Sequence, residues 1–327
     1  MTVLVTGSSG HLGEALVRAL RAQRHQAVGI DVRPGAFTDR VGSITDRAFL
    51  RDVMDGVSTV LHAATLHKPH VATHTRQAFV DVNVTGTLNL LEEAAAGGVR
   101  AFVYTSTTSV FGDALRPPAG QPAAWVTEDT TPVPKNIYGV TKQAAEDLCQ
   151  LFARNHALPA IVLRTSRFFR EADDDRAARE AYADANLKAN EFLYRRVDIE
   201  DVVSAHLRAA ERARSLGFAK YIISATTPFS RADAVALRNG APDVVRRLVP
   251  AYEAEYARRG WRMLPGIERV YVNDRARAEL GWQPRHDFAG VIARLAAGGD
   301  VLSALARVTG AKGYHDRTFG DGPYPVE

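Results

Sequence analysis

Thr6-Gly7-Ser8-Ser9-Gly10-His11-Leu12-Gly13 is the stretch whose reading decides the fold. Ahead of it, Val3–Thr6 is a short apolar run suited to a buried strand. After it, from about 12 to 22, apolar side chains recur at helical spacing. A glycine pattern set between a strand and a helix has a physical meaning that the glycines alone lack. Gly7 permits a tight turn, Gly10 lets backbone approach a pyrophosphate, and Gly13 lets helix and strand pack closely. The helix start offers N–H groups and the positive end of its dipole to the phosphates. Gly7, Ser9, Gly10, His11, Leu12 and Gly13 are therefore the expected dinucleotide contacts.

Outward from this loop, Ala27–Ile30, Thr59–Ala63, Ala101–Ser106 and Ala160–Arg164 read as further strands buried on both faces. Helical patterns lie between them at about 46–55, 76–96 and 137–155. This alternation implies an α/β fold, a doubly wound parallel sheet of Rossmann type with right-handed crossovers. Asp31 closes the second strand. A carboxylate there accepts hydrogen bonds from an adenosine ribose and repels a 2′-phosphate, which favours NAD. Arg33, two residues on, is the feature that would instead suit NADP.

Beyond Arg164 the rhythm breaks. Residues 166–192 are charged and helix-like, with Asp173–Asp175 as a cap or turn in a solvated loop. Ile199–Arg212 reads as a helix and Tyr221–Ser224 as a strand, and 226–327 lack regular alternation. The expected division is a dinucleotide-binding domain, 1–165 plus about 193–225, and a smaller C-terminal substrate lobe, 166–192 plus 226–327. The tail after Thr309 is rich in Gly and Pro, and its reading stays open between an ordered cover and a loose end.

The 327 residues are 46% hydrophobic and 24% charged, enough for a full core in an ordinary soluble protein. The net charge is +4, with basic residues scattered and no nucleic-acid motif, so nucleic acid is not an expected partner. The single cysteine, Cys149, excludes an intrachain disulfide and a cysteine metal site and reads as a packing residue. No apolar run approaches the roughly 18 residues of a membrane helix. Met1–Thr6 runs into a glycine loop rather than a signal peptide, so a cytoplasmic enzyme is expected. His67, His70 and His74 fall at spacings that suit one helix face, but no acid or cysteine completes a metal site, and none is expected.

Tyr138-Gly-Val-Thr-Lys142 places a phenol and an ammonium on one face of the helix at 137–155. A lysine beside a tyrosine stabilises the phenolate, so Tyr138 can exchange a proton with a substrate hydroxyl. Lys142 can also hold the nicotinamide ribose. At the end of the strand 101–106 stands Tyr104-Thr-Ser-Thr-Thr-Ser-Val-Phe-Gly112. Hydroxyls at the carboxyl end of such a strand face the ligand crevice, and one of them can bond the reacting oxygen.

With these pieces the sequence resembles the extended short-chain dehydrogenase/reductases, the NAD-dependent epimerase/dehydratase family. The resemblance rests on TGSSGHLG at 6–13, HAA at 62–64, NVTGT at 83–87, STTSVFGD at 106–113, YGVTK at 138–142 and LGW at 280–282. It implies that Thr107, Tyr138 and Lys142 are catalytic and that Tyr138 and Lys142 also touch the cofactor. It further implies cofactor contacts at Ala63, Ala64 and Asn83. Ser43 and Ile44 fall at the adenine position, with Ser43 replacing the family's acid. Thr65, His67, Thr107 and Thr108 are expected beside the substrate.

Three departures narrow the chemistry. Thr108 and Ser109 stand where family dehydratases carry Asp-Glu, which argues against dehydration. Arg167 replaces a substrate-facing Asn just past the strand at 160–164 and is expected to bind a substrate anion. The bland alternative for it is an ion pair with Glu171 or Asp173–Asp175. Tyr194 stands where nucleotide-sugar members place a diphosphate-gripping arginine. The expected function is an NAD-dependent dehydrogenase acting on a sugar-like, possibly acidic, substrate. A sugar or nucleotide-sugar epimerase and a non-catalytic dinucleotide sensor are the alternatives. A homodimer through the helices at 76–96 and 137–155 completes the reading.

Overall fold

The structure is a computed structural model that describes residues 2–313, His315 and Phe319. The strands are β1 (Thr2–Thr6), β2 (Gln26–Asp31), β3 (Arg40–Val41), β4 (Val57–His62), β5 (Ala101–Thr107), β6 (Ala124–Val126), β7 (Ala160–Thr165), β8 (Phe218–Ile223) and β9 (Arg269–Tyr271). Helices α1 (His11–Ala22), α2 (Arg47–Val53), α3 (Arg76–Phe79), α4 (Gly86–Ala96) and α5 (Ile137–His156) occupy the first half. The second half carries α6 (Arg176–Ala181), α7 (Asp184–Glu191), α8 (Ile199–Leu216), α9 (Ala234–Leu248), α10 (Tyr252–Arg259), α11 (Asp274–Leu280), α12 (Phe288–Ala296) and α13 (Ala304–Thr309).

Seven strands form one parallel sheet in the order β3-β2-β1-β4-β5-β7-β8. The winding reverses between β1 and β4, and that switch point opens the crevice in which such sheets bind ligands. The two faces are covered as an α/β sandwich requires. Leu12, Ala15, Leu16 and Leu20 of α1 recur at helical spacing and are buried with Val202 and Ala209 of α8 on one face. Leu90, Leu91, Ala145 and Cys149 of α4 and α5 fill the other. Cys149 is a packing residue. No described helix is long and apolar enough to cross a membrane.

The helical pattern at 76–96 is not one uninterrupted α-helix. A π-turn over Val80–Thr85 separates α3 from α4. Such turns are common at functional sites, and this one sets Asn83 inward. Among the described residues beyond 226 the chain carries the helices α9 to α13, with β9 running parallel to β6 in a second, two-stranded sheet. That sheet takes one strand from each half of the sequence. Leu280-Gly281-Trp282 ties the C-terminal part to α8: Gly281 ends α11 in the left-handed region, and buried Trp282 donates its indole N–H to Ser204 Oγ at 2.9 Å.

Candidate active site

A cavity of about 1160 Å³ lies at the carboxyl ends of β1, β4 and β5. It exceeds the roughly 300–1,000 Å³ of a pocket for one small ligand, as two adjacent ligands require. Among the sequence-derived candidates, only Asn83 is absent from its lining.

At the dinucleotide end, Gly7 has φ +75°, and a Cβ there would lie 2.8 Å from Ala64 N. A Cβ on Gly13 would lie 2.0 Å from Gly7 O, so any side chain would push α1 off the loop. Gly10 caps α1 without a side-chain hydrogen bond, so no side chain competes with an anion at the first turn. Thr6 Oγ1 accepts from the N–H groups of Ala63 and Ala64 and fixes that segment opposite the loop. Asp31 accepts from Ser9 N at 3.0 Å and Arg33 N at 2.9 Å, which aims its carboxylate at the loop. His11 contacts Glu171 at 2.8 Å; burial raises the Glu171 pKa, and the bonds from His11 and the backbone overcome it and hold it at about 2. These residues fit a dinucleotide: the cradle is one that a Cβ would fill, and an acid stands at its ribose end.

At the catalytic end, Thr107 closes β5 and Tyr138 lies in the first turn of α5, where Asn136 caps the helix by accepting from Gly139 N at 3.2 Å. Burial pushes the Tyr138 phenol up to about 12, and a hydrogen bond with Thr107 opposes this. Lys142 is buried. Its ammonium donates to Thr105 O at 2.6 Å and sits 4.1 Å from the centre of the Tyr104 ring. Burial lowers its pKa to about 7, against the pull of Glu146. The expectation that Lys142 acidifies the phenol is thus not met by these contacts. The ammonium is turned to a carbonyl and a ring, and burial raises the Tyr138 phenol.

Asn83 stands one layer behind the wall. Its Oδ1 accepts from Leu66 N and from the Thr65 hydroxyl, both at 2.8 Å, and its Nδ2 donates to Leu66 O and Thr141. It therefore positions the 65–66 segment against α5 rather than lining the cavity as expected for a cofactor contact. Thr108 is buried at the wall. His67 is buried with its pKa well below the ordinary value, chiefly through desolvation, and its ring centre lies 6.2 Å from that of Tyr138. His67 and His74 flank a 3-10 turn, Lys68–Ala72, that contains His70, with His70 and His74 edge to face.

Arg167 reaches the wall, but its guanidinium meets Asp174 Oδ1 at 3.4 Å and Ala172 O at 2.9 Å, with Asp173 at 3.8 Å and Glu191 at 3.9 Å. This is the ion-pair arrangement set out above as its alternative. Asp175 caps α6, whereas Asp173 is buried against Arg195 at 2.5 Å rather than solvated. Sequence reasoning missed four further residues. Glu146, four residues past Lys142, is fully buried, holds Arg164 through two nitrogens and accepts from Ser106 at 2.6 Å. Arg269 lines the cavity from β9. Lys312 and His315 line it from the tail, Lys312 through an ion pair with Glu14 and a backbone bond to Glu171 at 2.9 Å. The spacing of Glu146 from Lys142 was the one signal available for these.

Residues 3–223 match the family described as NAD dependent epimerase/dehydratase. UDP-glucose 4-epimerase of Rhizobium leguminosarum bv. trifolii is 29% identical over 89% of this chain and 95% of its own length. L-arabinose 1-dehydrogenase (NAD(P)(+)) of Haloferax volcanii is 30% identical over 50% of this chain and 65% of its own. The solved structure of a short-chain dehydrogenase/reductase superfamily protein from Agrobacterium tumefaciens with bound NAD is 26% identical. It superposes with a TM-score of 0.65, covering 91% of this chain and 96% of that one.

Proposed function

The chain belongs to the NAD dependent epimerase/dehydratase family, and within it we propose that it is a dehydrogenase acting reversibly at a secondary alcohol of a sugar-like substrate. The observation that supports this most is the meeting of the Thr107 and Tyr138 hydroxyls, with Lys142 buried beside them, in the cavity next to the glycine loop. The residues from Gly7 to Gly13, with Asp31, Ser43, Ile44, Ala63 and Ala64, would hold the dinucleotide. NAD, when bound, supplies the hydride acceptor.

The chain's own residues handle the proton. Thr107 Oγ1 hydrogen-bonds the substrate oxygen and holds it against the phenol. In the oxidising direction Tyr138 Oη, once it has given its own proton to solvent, takes the hydroxyl proton as the phenolate. In the reducing direction it returns that proton to the carbonyl oxygen, and a phenol held near 12 carries it at neutral pH. Lys142 orients the ribose and braces the site through Thr105. An epimerase uses the same groups, and the UDP-glucose 4-epimerase similarity along nearly the whole chain favours it as the second reading.

Incubation with NAD and a panel of sugars, sugar acids and UDP-glucose separates the two. Accumulating NADH marks a dehydrogenase, and an inverted product without net NADH marks an epimerase. Tyr138→Phe should retain NAD affinity and lose roughly 10²–10⁴-fold in turnover. Near-normal turnover in that variant would exclude Tyr138 as the proton carrier.

A further inference from the structure

Outside the Tyr138–Lys142 pair, the cavity wall and the layer directly behind it carry more positive charge than their carboxylates match. Lys68, Arg167, Arg195 and Arg196 share Asp173, Asp174 and Glu191 among them. Arg269 joins none of these pairs: among the described residues no carboxylate lies within 4.0 Å of it. Its Nε is buried and has no hydrogen-bond acceptor. A buried donor without an acceptor is a penalty that a bound acceptor removes.

The guanidinium is held in place. Its carbon lies 5.8 Å from the centre of the Tyr194 ring, a stacking contact suited to arginine. The backbone beneath it is strand β9, fixed to β6 through Ala124 N to Glu268 O at 2.8 Å and Val272 N to Val126 O at 3.0 Å. Arg195 lies 5.6 Å from the same ring, and its Nε also lacks an acceptor.

We propose that Arg269, braced on Tyr194, determines substrate specificity by taking an oxyanion of the substrate, a carboxylate or a phosphate, in a forked contact. The planar guanidinium matches two oxygens of such a group, and an unpaired one has no protein carboxylate to displace. This rests on the reading of the cavity as the site of a sugar-like alcohol. It moves the anion contact from Arg167, which its acids already engage, to Arg269.

The test is equilibrium binding to the NAD-loaded protein of D-glucose, D-glucuronate, D-glucose 6-phosphate and UDP-glucose. At least one anionic probe should bind more tightly than glucose. Arg269→Met should weaken that probe by at least roughly tenfold, with glucose binding, NAD binding and melting temperature unchanged. Arg269→Lys should restore part of the loss. Preference for glucuronate identifies a carboxylate, and preference for the phosphorylated probes a phosphate. Binding of no anionic probe above glucose, or equal affinity in wild type and Arg269→Met, overturns the proposal. Because binding is read without turnover, that failure is distinct from the failure of the hydride-transfer reading, which Tyr138→Phe reports.

Discussion

Lys142→Met should make the fold more stable at neutral pH while removing its activity. The ammonium is 2% exposed, and among the described residues no carboxylate pairs with it. Burial lowers its pKa from 10.5 to about 7, with Glu146 opposing. Each tenfold change in proton affinity corresponds to about 1.4 kcal/mol, so the folded chain carries a penalty of at most about 5 kcal/mol. The sign follows from the two states. Below pH 7 both folded and unfolded lysines are protonated and the penalty is complete. Above 10.5 both are neutral and it vanishes. Against this, the variant loses the bond to Thr105 O, about 1.5–3 kcal/mol for a charged donor, and the contact with the Tyr104 ring, about 0.5–2 kcal/mol. A net gain of about 1–2 kcal/mol is expected at pH 7, shrinking as pH rises and turning into a loss between about pH 8 and 9. Urea unfolding of the cofactor-free protein at pH 6, 7, 8.5 and 10 measures it. A variant less stable than wild type at pH 7, or a difference that does not change with pH, would refute the reasoning.

Asp31 should set cofactor choice: wild type binds NAD more tightly than NADP, and Asp31→Asn narrows the ratio by roughly tenfold or more, as loss of a charged hydrogen bond implies. Equal binding of both cofactors by wild type would move the choice to Arg33. The tail should slow cofactor exchange, because Lys312 docks on Glu14 and Glu171 beside the glycine loop. Deleting residues 310–327 is then expected to raise the NAD dissociation rate in stopped-flow displacement without unfolding the protein, and an unchanged rate would count against a covering role. A homodimer through α4 and α5 would cover Val140 and Leu151, which are 49% and 36% exposed. Light scattering at micromolar concentration should give a dimer for wild type and a monomer for Leu151→Asp, and a monomeric wild type excludes it.

The dinucleotide half was legible because each of its signals is local. The glycine loop declares itself between a strand and a helix, and five buried strands are continuous apolar runs. Their limits shift by a residue or two, as at β2, Gln26–Asp31 rather than Ala27–Ile30. The short strands were not legible. β3, β6 and β9 have two or three residues each, too few to show a period, and pairing across the chain defines them. The helical pattern at 76–96 hid the π-turn, since one extra residue in a turn leaves the apolar spacing nearly intact. The meeting of Lys312 with His11, 301 positions apart, has no sequence signature at all.

The two arginines show why site residues are harder to read than folds. Arg167 was singled out because it replaces an amide at a substrate-facing position, yet Glu171 and Asp173–Asp175 follow within one loop. Acids so close along the chain compete for the guanidinium before any ligand does, and Glu191 of α7 adds another. By the same criterion Arg269 is worse placed, because Glu268 precedes it directly. Glu268 stands just ahead of β9, where the chain is already extended and successive side chains diverge, so that neighbour does not neutralise it. Glu268 instead lies 3.5 Å from Arg238, while Arg269 turns into the cavity over Tyr194. Proximity in sequence predicts pairing in a loop and opposes it along extended chain. Deciding which applied at 269 required knowing that three residues there form a strand, and that is the information the sequence pattern lacked.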